Sequence, residues 1–206
     1  KKRESNQLCF IPGGNEAISI DGFRLGNPGE QTAYTTVFRE ENGQVTGNPA
    51  NASGTVERQT VSLDLTEWEL YLKPGAPILH LHIPAGAPLR KEDCQASLQR
   101  AWTFFPKYFP EFKFKAVCCT SWLFNPTLSE YLPESNIAAF QTLFHLHPVP
   151  EANGWQTLER VFGDPDIELS KAPQKTTLQK IVKNHLMQGR FWHSGSAFLL
   201  PEECLG

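Results

Sequence analysis

No stretch of the 206-residue sequence comes near the roughly 18 consecutive apolar residues of a membrane-spanning helix. The N-terminus, charged and then polar, also lacks the apolar segment of a signal peptide. Neither a membrane span nor a cleaved leader is expected. Positive charge is short as well: 19 Lys and Arg stand against 22 Asp and Glu, for a net charge of −3, and no basic run occurs. A nucleic-acid binder carries a basic footprint that is missing here. Cysteine is sparse: Cys9, Cys94, Cys118, Cys119 and Cys204 are odd in number, and none belongs to a C-x-x-C pair. Cys118 and Cys119 are neighbours and point to opposite faces of a strand, which suits reduced thiols and a cytoplasmic protein better than a disulfide framework. What remains is 40% hydrophobic and 20% charged, with 14 Phe and 5 Trp, enough to build one packed domain.

Residues 1–16 are polar and punctuated by Gly and Pro, and are expected to be a linker to a domain covering 17–206. The chain opens Lys-Lys-Arg with no Met, as a piece of a longer protein would. Strands are expected at 17–25 and 34–41, the latter turning back through Asn42-Gly43, a pair that tolerates positive φ. A third follows at 55–65. Thr66-Glu-Trp-Glu69 has capping-box spacing and predicts a short helix over 67–72, stopped by Pro74-Gly75.

The run Pro77 to Ile83 is the clearest strand, with Ile78, His80 and His82 on one face and Leu79, Leu81 and Ile83 on the other, both expected to be buried. After a Pro/Gly loop, Cys94, Leu98, Ala101, Trp102 and Phe105 recur at helical spacing and predict a helix over 91–105. A strand at 114–121, short helices opened by Asn125-Pro126 and Ser135, and a strand at 144–149 follow. Helices at 155–162 and 178–188 each meet a Gly just past their ends, 163–177 reads as a surface loop, and the last strand is 190–200. Alternation of this kind means a mixed α+β sheet domain.

The strand, loop and helix at 77–105 carry the first chemical signal. A helix N-terminus entered from a Gly-containing loop offers unpaired N–H groups and the positive end of a dipole to a phosphate. Gly86 allows a sharp turn and close approach, and Arg90 and Lys91 add charge. Pro84 and Pro88 have no N–H, which leaves Ala85, Gly86, Ala87, Leu89, Arg90 and Lys91 as donors.

The run His80 to Leu89 (HLHIPAGAPL), followed by Trp102-Thr-Phe-Phe105, Phe109-Pro-Glu111, Ser121-Trp-Leu123 and Ser135-Asn-Ile137, resembles the acyltransferase C-terminal domain of the GNAT-like type. Gly47-Asn-Pro49, Gly189-Arg-Phe191 and Phe198-Leu-Leu200 extend the similarity from about residue 17 to the end. The resemblance implies a mostly antiparallel mixed sheet with flanking helices, two strands of which splay apart to admit acyl-coenzyme A. It also implies a bacterial, two-domain protein whose N-terminal acyltransferase domain precedes this one. The activity implied is transfer of an acyl group, most simply acetyl, to a small-molecule or peptide amine. Residue by residue, Ile83 would face the pantetheine arm, and Ala85, Gly86, Ala87, Leu89 and Arg90 the pyrophosphate. The standard loop reads Gln or Arg, two residues, Gly, one residue, then Gly or Ala; here Ile83 and Pro88 occupy the outer places and only Gly86 matches.

His82 is the candidate general base, at the mouth of the expected splay and on the face of His80. Tyr131, six residues past Asn125 on the helix after the next strand, is the candidate acid for the departing thiolate. Three other readings compete. The pairs His80/His82 and His145/His147 would make a metal site if their strands were neighbours, but the implied strand order separates them and no metal is expected. Cys118 or Cys119 could serve as a nucleophile, although a buried strand position favours a structural thiol. The third class is a non-catalytic scaffold for the N-terminal domain, in which side chains would fill the space between strands 77–83 and 114–121.

Overall fold

The computed structural model describes residues 7–26, 29–149, 154–201 and 203. The first six residues of the expected linker, and Cys204, lie outside the described residues. The first seven strands are short: β1 (Cys9–Phe10), β2 (Ala17–Ile18), β3 (Tyr34–Thr35), β4 (Phe38–Glu41), β5 (Gln44–Gly47), β6 (Pro49–Ala50) and β7 (Val61–Asp64). Then come β8 (Ile78–His80), α1 (Lys91–Tyr108), β9 (Ala116–Ser121), α2 (Thr127–Tyr131), α3 (Asn136–Gln141), β10 (His145–Pro148), α4 (Trp155–Phe162), α5 (Thr177–Met187) and β11 (Gly195–Leu199).

Four strands form the main sheet in the order β10-β11-β9-β8, antiparallel except for the parallel pair β8-β9. Strand alternation divides this sheet into two faces. Val117, Cys119, Leu146, Ala197 and Leu199 point into the principal core, where Leu98 and Trp102 of α1 and Phe140 of α3 cover them. Each Val, Leu or Phe among them contributes about 1.5–3 kcal/mol on burial. Gly195 lets Phe124, in the 3-10 turn Trp122–Phe124 after β9, lie against β11, because a Cβ there would stand 2.4 Å from the Phe124 carbonyl oxygen. The opposite face presents His80, Cys118, Phe198 and His147. A second cluster gathers Leu128, Val182 and Trp192 from α2, α5 and the segment before β11.

The hairpin β4-β5 closes through Asn42 (φ 51) and Gly43 (φ 74), with Glu41 opposite Gln44, as the Asn-Gly pair demands. Strand β7 joins it in a separate three-stranded sheet. Asn48 explains the Gly-Asn-Pro stretch: buried, it accepts from Val37 N–H and donates to the carbonyls of Glu57 and Arg58.

Four expectations need correction. The linker reading fails for its second half, since β1 pairs with β6 and Ile11 packs with Ile18 and Val56. The helix over 67–72 is absent, because the Asp64 carboxylate takes both the amide and the hydroxyl of Thr66 and makes a turn instead. The long strands at 17–25, 34–41 and 190–200 are broken; residues 190–194 leave the sheet, although Trp192, His193 and Ser194 are buried. The 163–177 loop holds a 3-10 turn at Leu169–Lys171 whose neighbouring carbonyls, of Ser170 and Ala172, receive Lys183 Nζ.

Candidate active site

Strands β8 and β9 run in register through Ile78↔Ala116, Leu79↔Val117 and His80↔Cys118. The last bond of this ladder among the described residues runs from Leu81 N–H to the Cys118 carbonyl, at 2.8 Å. Beyond it β9 continues to Ser121 paired only with β11, while His82 and Ile83 leave the sheet. Because ladder groups alternate along a strand, Thr120 turns its N–H and C=O toward the side that β8 has vacated. The two strands thus part where the family resemblance implies a splay.

Loop 84–90 follows immediately. Gly86 has φ 75, and nothing stands within 4 Å of where its Cβ would be, so its backbone faces open space. Leu89, packed against the principal core, holds φ 52, a left-handed conformation that costs a branched residue about 1–2 kcal/mol. Strain of this kind gathers at ligand loops. Asn136 Nδ2 pins the loop through the Pro88 carbonyl at 2.8 Å. Arg90 is the N-cap of α1, and no side-chain oxygen caps the helix. The electrostatics are mixed, since Glu92 and Asp93 occupy the first turn and Arg90 Nε donates to Asp93 Oδ2 at 2.7 Å. Lys91 Nζ donates to Thr142 Oγ1 at 3.2 Å. The donors expected at Ala85, Gly86, Ala87, Leu89 and Arg90 are therefore gathered in one loop, but Ala87 N–H already bonds the Pro84 carbonyl.

His80 and His82 share a face, with ring centroids 4.8 Å apart, and both are exposed rather than buried. The reason is that β8 is an edge strand whose other face alone, Leu79, Leu81 and Ile83, meets the core. Tyr131 stands elsewhere: its hydroxyl lies 3.2 Å from His185 Nδ1 and 3.4 Å from Arg190. His185 Nε2 donates to the Phe191 carbonyl, so Nδ1 is the acceptor and the phenol the donor. Burial holds the His185 ring below the ordinary imidazole range. Among the described residues no hydrogen bond or ring contact joins Tyr131 to His82.

Strand order puts both β11 and β9 between β8 and β10, which separates the two His-x-His pairs. Among the described residues no group of three or more His, Cys, Asp or Glu is placed to hold a metal. His145 pairs with Glu203, and His147 Nδ1 lies 3.2 Å from Cys9 Sγ. Cys119 sits in the core and Cys118 on the opposite face, and burial pushes each thiol up to about 11. Such thiols are poor nucleophiles at neutral pH.

Two constellations escaped the sequence reading. One is the Tyr131–His185 pair. The other is His193, stacked on Phe23 at 4.4 Å and bonded through Nε2 to Glu30 at 2.9 Å, both side chains buried. Burial lowers the His193 ring's pKa against the pull of Glu30. This pair and the Phe23 stack fasten Phe23 and Glu30 to the segment before β11, and neither member of the pair lies on a motif that announces it.

The sequence pattern of the GNAT-like C-terminal domain matches residues 23–199. A crystal structure of an acyltransferase mutant in complex with octanoyl-CoA is 35% identical over 64% of this chain and 43% of its own, with a TM-score of 0.57. An acyltransferase in complex with decanoyl-CoA is 31% identical over 80% of this chain and 46% of its own, at TM-score 0.57. Another, with decanoyl-CoA and teicoplanin, is 27% identical over the same shares, 80% and 46%, at TM-score 0.56. This chain spans less than half the length of those acyltransferases. No match is found among curated proteins. Among the described residues no helix is long and apolar enough to cross a membrane.

Proposed function

The chain belongs to the family of GNAT-like C-terminal domains, and from that premise we propose that it binds acyl-coenzyme A and serves transfer of the acyl group to an amine. One observation carries the reading: β8 and β9 part after Leu81 and Cys118, directly before a strained loop and an uncapped helix N-terminus. A pantetheine arm has in this gap the free backbone of Ile83 and Thr120. The pyrophosphate has Ala85, Gly86, Leu89 and Arg90, with Ala87 completing the turn. The acidic first turn of α1 weakens this anion site relative to a Gly-rich loop. Remaining pantetheine and acyl contacts then matter more to affinity.

In the reaction the amine nitrogen attacks the thioester carbon, a C–N bond forms, the C–S bond breaks and coenzyme A leaves as a thiol. His82, exposed at the parting of the strands, takes the proton from the amine directly or through water. Tyr131 returns a proton to the thiolate only if its phenol is released from His185. Relatives that hold octanoyl- and decanoyl-CoA argue against restricting the donor to acetyl-CoA. The relative with teicoplanin supports an amine on a peptide-like acceptor. The remaining length of those relatives supports a second domain as partner. All four described cysteines are free, which supports a reducing, cytoplasmic setting. A pure scaffold would need no gap between β8 and β9.

The test is release of coenzyme A thiol in the presence of an amine series. His82→Ala should cut turnover about 10²–10⁴-fold with coenzyme A affinity unchanged. An unchanged rate and pH profile would remove His82 from the mechanism.

A further inference from the structure

A cleft of about 740 Å³ lies outside the loop just described. One wall is the main-sheet face bearing Ile78, Cys118 and Phe198. The wall opposite is the three-stranded sheet, through the cross-strand partners Val45 and Leu63, and Trp68 stands on the segment that joins the two walls. We propose that this cleft receives the alkyl chain of the acyl group, of a length near octanoyl or decanoyl, and so makes the chain selective for such donors. The inference rests on the acyl-coenzyme A reading above and names its donor class.

Continuity is the first argument. Cys118 and Ser196 line the cleft; Cys118 belongs to the last register of β8 and β9, the ladder ends on its carbonyl, and Ser196 pairs with Thr120 beside the gap. A thioester lodged where the strands part lies against Cys118. Its acyl carbons then have the cleft as their path.

Chemistry is the second. The charged residues of the lining, Glu40, Glu69 and Lys73, are all exposed, as a rim would be. Deeper in the lining, Cys9 and His147 satisfy each other at 3.2 Å. Burial pushes the Cys9 thiol up to about 11 and the His147 ring down to about 4, so both are neutral at pH 7. Neither offers a charge to an ammonium or carboxylate. A mostly apolar wall in which Cys9 and His147 pair with each other suits an alkyl chain, and the volume falls within the usual range for ligand sites.

The experiment is a calorimetric series with coenzyme A and its acetyl, butyryl, octanoyl and decanoyl thioesters. The decanoyl thioester of N-acetylcysteamine, which lacks the nucleotide, is titrated beside them. Affinity should rise about fourfold for each added methylene until the chain meets the cleft's end. Val45→Trp and Leu63→Trp, which fill the cleft, should abolish that rise while leaving melting temperature and coenzyme A affinity in place. Octanoyl-coenzyme A binding no tighter than acetyl-coenzyme A overturns the cleft assignment and leaves the acyl-coenzyme A reading standing. A chain-length dependence that survives in both filled variants overturns it as well. Binding of the N-acetylcysteamine thioester without binding of coenzyme A keeps the cleft and removes the pyrophosphate site. Failure of every thioester removes both.

Discussion

Replacing Gly86 with Val separates a binding role from a folding role at a single backbone position. Gly86 holds φ 75, so any L side chain there pays for a left-handed conformation, about 1–2 kcal/mol. No further steric cost arises, because nothing lies within 4 Å of the added Cβ. For a chain of this size that loss lowers the melting temperature by roughly 2–8 °C. Gly163, with φ 82 and equally open surroundings, provides a matched control, and Gly163→Val should lose a similar amount of stability. The two variants should differ in binding. The new side chain at position 86 stands where a pyrophosphate would approach its N–H, and a hydrogen bond to a charged group contributes about 1.5–3 kcal/mol. Coenzyme A affinity should fall by roughly 10- to 100-fold in Gly86→Val and stay at the parental value in Gly163→Val. The assay is calorimetry at fixed salt beside a thermal melt. Equal affinity in both variants, with both folded, would refute the pyrophosphate assignment.

Gly195→Ala should destabilise by about 1–3 kcal/mol in a urea melt, since its Cβ would stand 2.4 Å from the Phe124 carbonyl oxygen, a backbone atom that cannot swing away. His147 should make stability depend on acid: its folded pKa, about 4, lies below its ordinary 6.5, so the unfolded chain binds the proton first as pH falls. Stability from this group is complete above about pH 6.5 and declines toward pH 4, by up to roughly 3 kcal/mol, and His147→Phe should flatten that part of a urea-midpoint profile. Tyr131→Phe removes the bond to His185 and should cost about 1 kcal/mol. An additional fall in turnover of tenfold or more assigns the phenol to catalysis, and unchanged turnover assigns it to packing.

Local chemistry made part of the fold legible in the sequence. Asn42-Gly43 set a two-residue hairpin, and Gly163 (φ 82) ended α4 just after Phe162, the residue that periodicity indicated. Helix α1 ran on to Tyr108, three residues past its expected end, because Pro106 falls in the last turn and does not stop it. Thr66 misled because a Thr-x-x-Glu spacing describes a capping box only when no nearer acceptor competes, and Asp64 competes. Thr176 and Gln179 form a genuine capping box whose spacing was available and unread. The site divides in the same way. Loop 84–90 is contiguous, so its Gly and its helix entry could be read from order alone. The cleft could not, since Val45, Leu63, Trp68 and Phe198 meet only through tertiary packing. Exposure of His80 and His82 likewise depends on β8 being an edge strand, which spacing within the strand does not encode.

The central claim is that coenzyme A enters between β8 and β9 with its pyrophosphate on the loop before α1. An amide-resolved NMR titration of the chain with coenzyme A tests it most directly. The largest shifts should fall on Ile83, Ala85, Gly86, Leu89 and Arg90, and on Thr120 across the gap, and should saturate together. Saturable shifts confined to another face of the sheet, or none at concentrations that bind acyltransferases, would contradict it.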